Sequence, residues 1–206
     1  MIVSLLKEEI VSKLRLIRSQ IPESLLSIFD SNFSVLFLES EIAFNYFALG
    51  MREVVNRTIS ELSNKELIRN SKWFPSYGTH GDDPQKISTK QLLANIVLKE
   101  NSMGALFKLF PIDNSIDALC EMMKKLSFYV HLTLRLDSDK ITDELEKVII
   151  ICGNFFETLG SVQKEIEDLV EITKEGVLMM FGQERFKNSM KLLPNTIHLT
   201  LKLIKF

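Results

Sequence analysis

Along residues 148–169 apolar side chains recur in steps of three and four: Val148, Ile151, Phe155, Leu159, Val162, Ile166 and Leu169. That step follows the turn of an α-helix and lines one face. A helix with such a stripe cannot stand alone in water, so it needs other helices, or a partner, along most of its length. The rest of the chain supplies material for that. Only 5 Pro and 8 Gly punctuate 206 residues, so the elements are long, which favours helices over many short strands. The length suits roughly one domain. With 46% hydrophobic and 25% charged residues, the chain can close a core, which excludes disordered, collagen-like and disulfide-scaffold classes.

The spacing predicts a first helix over residues 2–19. A short second one starts at Pro22 and runs to about Phe29, ended by the turn formers Asp30, Ser31 and Asn32. Residues 33–38 fit strand or helix equally. A long helix follows over 41–62, with Phe44, Phe47, Met51, Val54, Val55, Ile59 and Leu62 inward and Glu53–Arg57 as an i, i+4 pair. One or two turns follow at 64–69. Residues 72–88 read as the one long irregular segment, holding Trp73 and two prolines. Ser88 and Thr89 cap a helix over 90–100, and Asp113 or Asn114 caps another to about Leu132. The long helix of the opening stripe spans 142–174 and breaks at Gly176; a last helix covers 177–192 and stops before Pro194. Beyond it Ile197, Leu199, Leu201 and Leu203 alternate with His198, Thr200 and Lys202, the period of a strand. A lone strand leaves its backbone unpaired and calls for a partner. The expected fold is therefore all-α: a bundle of about seven to nine helices over residues 1–193, with a short C-terminal β-strand in 194–206.

The net charge of −2 provides no global basic field, so nucleic acid would need a local patch. Cys120 and Cys152 sit in apolar helical patterns, as reduced thiols of a cytoplasmic protein do, and make no zinc spacing with His80, His131 or His198. Glu8 and Glu9 stand where a signal peptide would be apolar. No clean run of ~20 apolar residues is present, so no membrane span is expected. The absence of a Gly-rich phosphate loop, His-Glu-x-x-His, Cys-x-x-Cys and Gly-x-Ser-x-Gly lowers the case for the common ATPase, zinc and hydrolase classes, although a site assembled from distant helices leaves no local motif; no cofactor and no metal are expected.

Three groups can carry chemistry or binding. In Ser127-Phe-Tyr-Val-His131-Leu-Thr-Leu-Arg135 a continuing helix puts His131 and Arg135 on one face. An imidazole beside a guanidinium can hold phosphate or act as general acid or base; the plainer role is a helix-end histidine bonded to its neighbours. Arg52, Asn56 and Arg57 can clamp an anion, or simply form a solvated face. Trp73 and Phe74 can anchor a partner or stack on a base, or fold back as a plug on the bundle. The acidic group Asp137, Asp139, Asp143 and Glu144 lacks the spacing of a calcium loop and suits a helix N-terminus.

Asn45-Tyr-Phe-Ala-Leu-Gly-Met-Arg-Glu-Val-Val, Ser71-Lys-Trp-Phe-Pro and Lys125-Leu-Ser-Phe-Tyr-Val-His131 occur in that order. Together they resemble the helical N-terminal region of the predicted pPIWI-associating nuclease family, over about residues 39–169. The resemblance implies a prokaryotic, cytoplasmic, anti-phage defence setting and draws attention to Arg52, Glu53, Trp73, Tyr129 and His131. It also implies that a β-rich nuclease part follows the helices; with Phe206 closing the chain as a strand begins, that part would come from another chain or be lacking. The segment ending at His131 is similar as well to the histidine end of HEPN-type RNases. Those place an Arg shortly before the His, whereas here Lys124 and Lys125 precede it and Arg135 follows. Two functions are therefore expected to compete. One is a non-catalytic interaction module that docks a protein partner or a second copy through its long helix and terminal strand, with Trp73, Phe74, Tyr129, Arg57 and Lys125 in binding roles. The other is a metal-independent RNase using His131 as general acid or base, with Arg52, Lys125 or Arg135 steadying the phosphate.

Overall fold

The computed structural model describes residues 7–37, 42–71, 86–98, 112–131 and 138–189. Seven α-helices and no strand stand among them: α1 (Glu8–Gln20), α2 (Glu23–Ser34), α3 (Ala43–Leu62), α4 (Lys65–Asn70), α5 (Thr89–Leu98), α6 (Ile112–Val130) and α7 (Ser138–Ser189). A 3₁₀ turn, Val35–Phe37, extends α2. The fold is all-α. The alternating tail and the boundary before residue 194 lie outside the described residues.

Helix α7 is the element on which the others assemble, with α1, α3, α5 and α6 all packed against it. Its inner stripe is almost dry: Val148, Cys152 and Phe155 are 0% exposed, and Ile166, farther along, 3%. Ile10 and Ile17 of α1, Phe47 and Met51 of α3, Leu93 of α5 and Leu119 of α6 belong to the same cluster. Each such side chain contributes roughly 1.5–3 kcal/mol on burial. This corrects the expectation that the stripe docks a partner. From Val148 to Ile166 it is taken up by the core of its own chain, all but Ile151, which is half-buried at the edge of the cluster.

Three further expectations change. Gly176 does not break α7, which runs 52 residues to Ser189. A helical glycine costs about 1 kcal/mol against alanine but creates no clash, so strong helix formers on both sides carry the helix through it. Asp30, Ser31 and Asn32 form no turn and lie inside α2. Asp30 pairs with Arg18 of α1, Ser31 Oγ donates to the Ile28 carbonyl at 2.9 Å, and Asn32 is buried. Tertiary contacts thus outweigh their turn propensity. Leu62 is 47% exposed, because α3 ends there and the chain turns at Ser63 into α4.

Several local choices favour these elements. Asn64 caps α4 by accepting from the Glu66 and Leu67 amides at 3.1 and 3.0 Å. Ser88 and Gln91 form a reciprocal capping box at the start of α5: Ser88 Oγ accepts from the Gln91 amide at 3.2 Å, and Gln91 Oε1 from the Ser88 amide at 2.7 Å. Helix α6 begins at Ile112, ahead of the two residues expected to cap it. Asp113 and Asp117, in its first turns, hold Lys90 of α5 at 3.8 and 2.7 Å.

Two glycines let helices approach closely. A Cβ on Gly50 would lie 2.0 Å from Asn32 Oδ1, and one on Gly153 would lie 2.5 Å from Lys13 Cδ. Lys13 crosses Gly153 and reaches Glu157 at 2.6 Å. Behind Gly50, the buried Nδ2 of Asn32 has no hydrogen-bond partner among the described residues.

Candidate functional site

Helices α3 and α6 meet where α6 ends. The last carbonyls of a helix have no intrahelical donor, and here a side chain from another helix serves them. Asn45 Nδ2 donates to the Val130 carbonyl at 3.2 Å and, at a longer 3.5 Å, to that of Tyr129. Phe44, its neighbour, meets Tyr129 edge-on with ring centroids 6.3 Å apart. Phe128 also packs edge-on to Tyr129, at 5.8 Å. The two motifs that begin at Asn45 and end at His131, far apart in sequence, therefore build one junction.

His131 follows the last residue of α6. Its amide donates to the Phe128 carbonyl at 3.1 Å, and the residue is exposed. Tyr129 is half-buried. Burial first, and the nearby Glu144 second, push its hydroxyl above the ordinary tyrosine range. Beside it opens a groove of about 440 Å³ lined by Lys125, Phe128 and Tyr129 of α6 and by Lys147, Ile150 and Ile151 of α7. Phe128 is 62% exposed. Lys147 donates to Glu144 at 2.6 Å, one turn before it, and that bond raises its pKa above the usual lysine value.

On α3, Arg52 and Asn56 are half-buried and Arg57 is exposed. Arg57 Nε donates to Glu53 at 2.7 Å. Arg52 stands five residues earlier, about 140° around the helix from it. Arg52 lies seven residues past Asn45 on α3, ~10 Å along the helix axis from it. Arg135, Trp73 and Phe74 lie outside the described residues. No group of His, Cys, Asp and Glu among the described residues can hold a metal ion. No helix among them is long and apolar enough to cross a membrane.

A family model described as predicted pPIWI-associating nuclease matches residues 18–152. The chain belongs to that family. The match starts earlier than the resemblance in the motifs suggested, in the last turns of α1, and ends on the buried part of α7. It therefore takes in the whole α3–α6 junction and the groove of this pPIWI-associating family member. No curated protein and no solved structure matches the chain. Reading the sequence alone missed the roles of Asn45, Phe128 and Lys147. Asn45 and Phe128 stand inside the motifs of the resemblance, which was a usable signal. Nothing local marks Lys147, which becomes part of the groove only when α6 packs on α7.

Proposed function

We infer that this chain is the helical interaction module of a nuclease-associated prokaryotic defence assembly, and that a pPIWI protein docks on α3. The supporting observation is a stripe on the side of α3 turned away from the core. Ile42 precedes the helix, and Tyr46 and Leu49 follow at i+4 and i+7; they are 50%, 50% and 42% exposed. Apolar residues at that spacing suit a helix laid into a groove of another protein, and an exposed tyrosine is a favoured anchor. The stripe lies inside the matched family region. Co-expression of the full chain with a pPIWI protein from the same genome tests the reading. The two should purify together, and Tyr46→Asp with Leu49→Asp should abolish capture without lowering the melting temperature. Failure to co-purify, or capture indifferent to both substitutions, removes it.

A second reading, a metal-independent RNase, has one observation in its favour: His131 is an exposed residue at a helix end rather than part of the core. Purified chain incubated with single-stranded RNA in chelator should then cleave it, and His131→Ala should cost at least about 10²-fold, the usual contribution of a general acid or base. Equal cleavage by wild type and variant, or none by either, ends this reading.

A further inference from the structure

Helix α7 carries a second stripe, opposite the one buried in the core. It runs from Lys147 through Ser161 to Glu175 in steps of three and four, and at 100° per residue its positions fall within about 80° of arc. Its members are exposed or half-exposed. The stripe is close to symmetric about Ser161. Ile150 and Ile172 stand eleven residues to either side, Asn154 and Asp168 seven, and Lys147 and Glu175 fourteen. One end is a groove, where Ile150 is joined by Phe128 and flanked by Lys125 and Lys147. The other end is a knob, where Ile172 is 57% exposed and is bracketed along the stripe by Asp168 and Glu175.

We propose that two copies of this chain dock α7 on α7, antiparallel, about a twofold axis at Ser161, with Ile172 of each filling the groove of the other. Such an interface is isologous and closes on itself. Charge decides the occupant: a cationic groove and a carboxylate-flanked knob on one helix meet each other when a second copy is reversed. Lys125 has no carboxylate partner among the described residues, and Lys147, although bonded to Glu144, keeps its side chain 53% exposed. The centre is small: Ser161 is exposed and carries a short side chain, so the helices can come close. One like-charge pair, Glu157 against Glu165, falls four residues either side of the centre. Lys13 already neutralises Glu157 at 2.6 Å, and Lys164 of one copy lies on the flank facing Glu157 of the other.

The ~33 Å from Ile150 to Ile172 make a small interface, with a Kd on the order of micromolar. Sedimentation of the full chain from about 1 to about 200 µM brackets that value. A monomer–dimer equilibrium is expected, with Ile172→Glu raising Kd at least about 10-fold. Lys147→Glu and Glu175→Lys should each weaken the dimer, and the two together should restore most of it. A chain monomeric throughout, a dimer indifferent to Ile172→Glu, or a double variant as weak as the singles overturns the proposal. Ile172 is exposed, so its variant should melt like wild type and the test should not be lost to misfolding. The α3 variant Tyr46→Asp should leave the dimer intact, so failure of pPIWI docking and failure of self-association remain distinguishable.

Discussion

Phe155 and Ser161 stand six residues apart on α7, in opposite surroundings. Phe155 is 0% exposed, packed edge-on against Phe156 at 5.4 Å; Ser161 is exposed. Both faces of the helix repeat in steps of three and four, so periodicity alone does not separate a core from a contact surface. The difference lies in what comes to cover each face. The inner face is met by four helices of the same chain, whereas the outer one holds short or charged side chains with one apolar residue near each end.

The largest contrast to test is kinetic. Cys152 lies on the inner face, where burial pushes its thiol well above the ordinary cysteine range; Cys120 is only half-buried, its pKa raised chiefly by burial too. Alkylation followed by mass spectrometry should label Cys120 far faster. Cys152 should react only through unfolding, slowed on the order of 10³-fold or more for a domain of ordinary stability. Comparable rates would mean that the inner face opens easily. Phe155→Ala should cost about 3–5 kcal/mol in denaturant unfolding and speed labelling of Cys152. Asn45→Ala, at the α3–α6 junction, should cost ~1 kcal/mol by leaving the Val130 carbonyl without its donor. On the outer face Ser161→Ala should change stability by less than about 0.5 kcal/mol, and a larger loss would show that this face is already engaged within the chain. The smallest effect concerns Tyr129. Its folded pKa is raised, so the neutral phenol is favoured in the fold. Its contribution to stability is complete below the unfolded tyrosine pKa and is lost as pH rises through the folded value. Absorbance at alkaline pH should show a late-titrating tyrosine that Tyr129→Phe removes.

Much of the fold was legible because it is written in near-neighbour spacing. The inner residues of α7, all but Leu62 among the expected inward residues of α3, and the Ser88 cap follow from rules that span three or four positions. Asp30, Ser31 and Asn32 misled because their turn preference is weak beside the packing of α2 against α3, in which Asn32 is buried; the half-exposed Arg18–Asp30 pair adds little. Gly176 misled because glycine lowers helix stability without forbidding the helix. The site was less legible still. Asn45 reaches carbonyls about 85 positions away in sequence, and the groove joins residues of two helices. Lys125 and Tyr129, read as binding residues, line that groove; Arg52, Asn56 and Arg57 were read as an anion clamp or, more plainly, as a solvated face, and Arg57 pairs with Glu53.

The seam at Gly50 limits how this chain can vary. The amide of Asn32 occupies the volume that any side chain at position 50 would need, so the two positions share one space. A relative that gains even a methyl group at 50 must turn the residue at 32 aside, shrink it, or part α2 from α3. Gly50→Ala should therefore be better borne beside a smaller residue at 32 than beside Asn32.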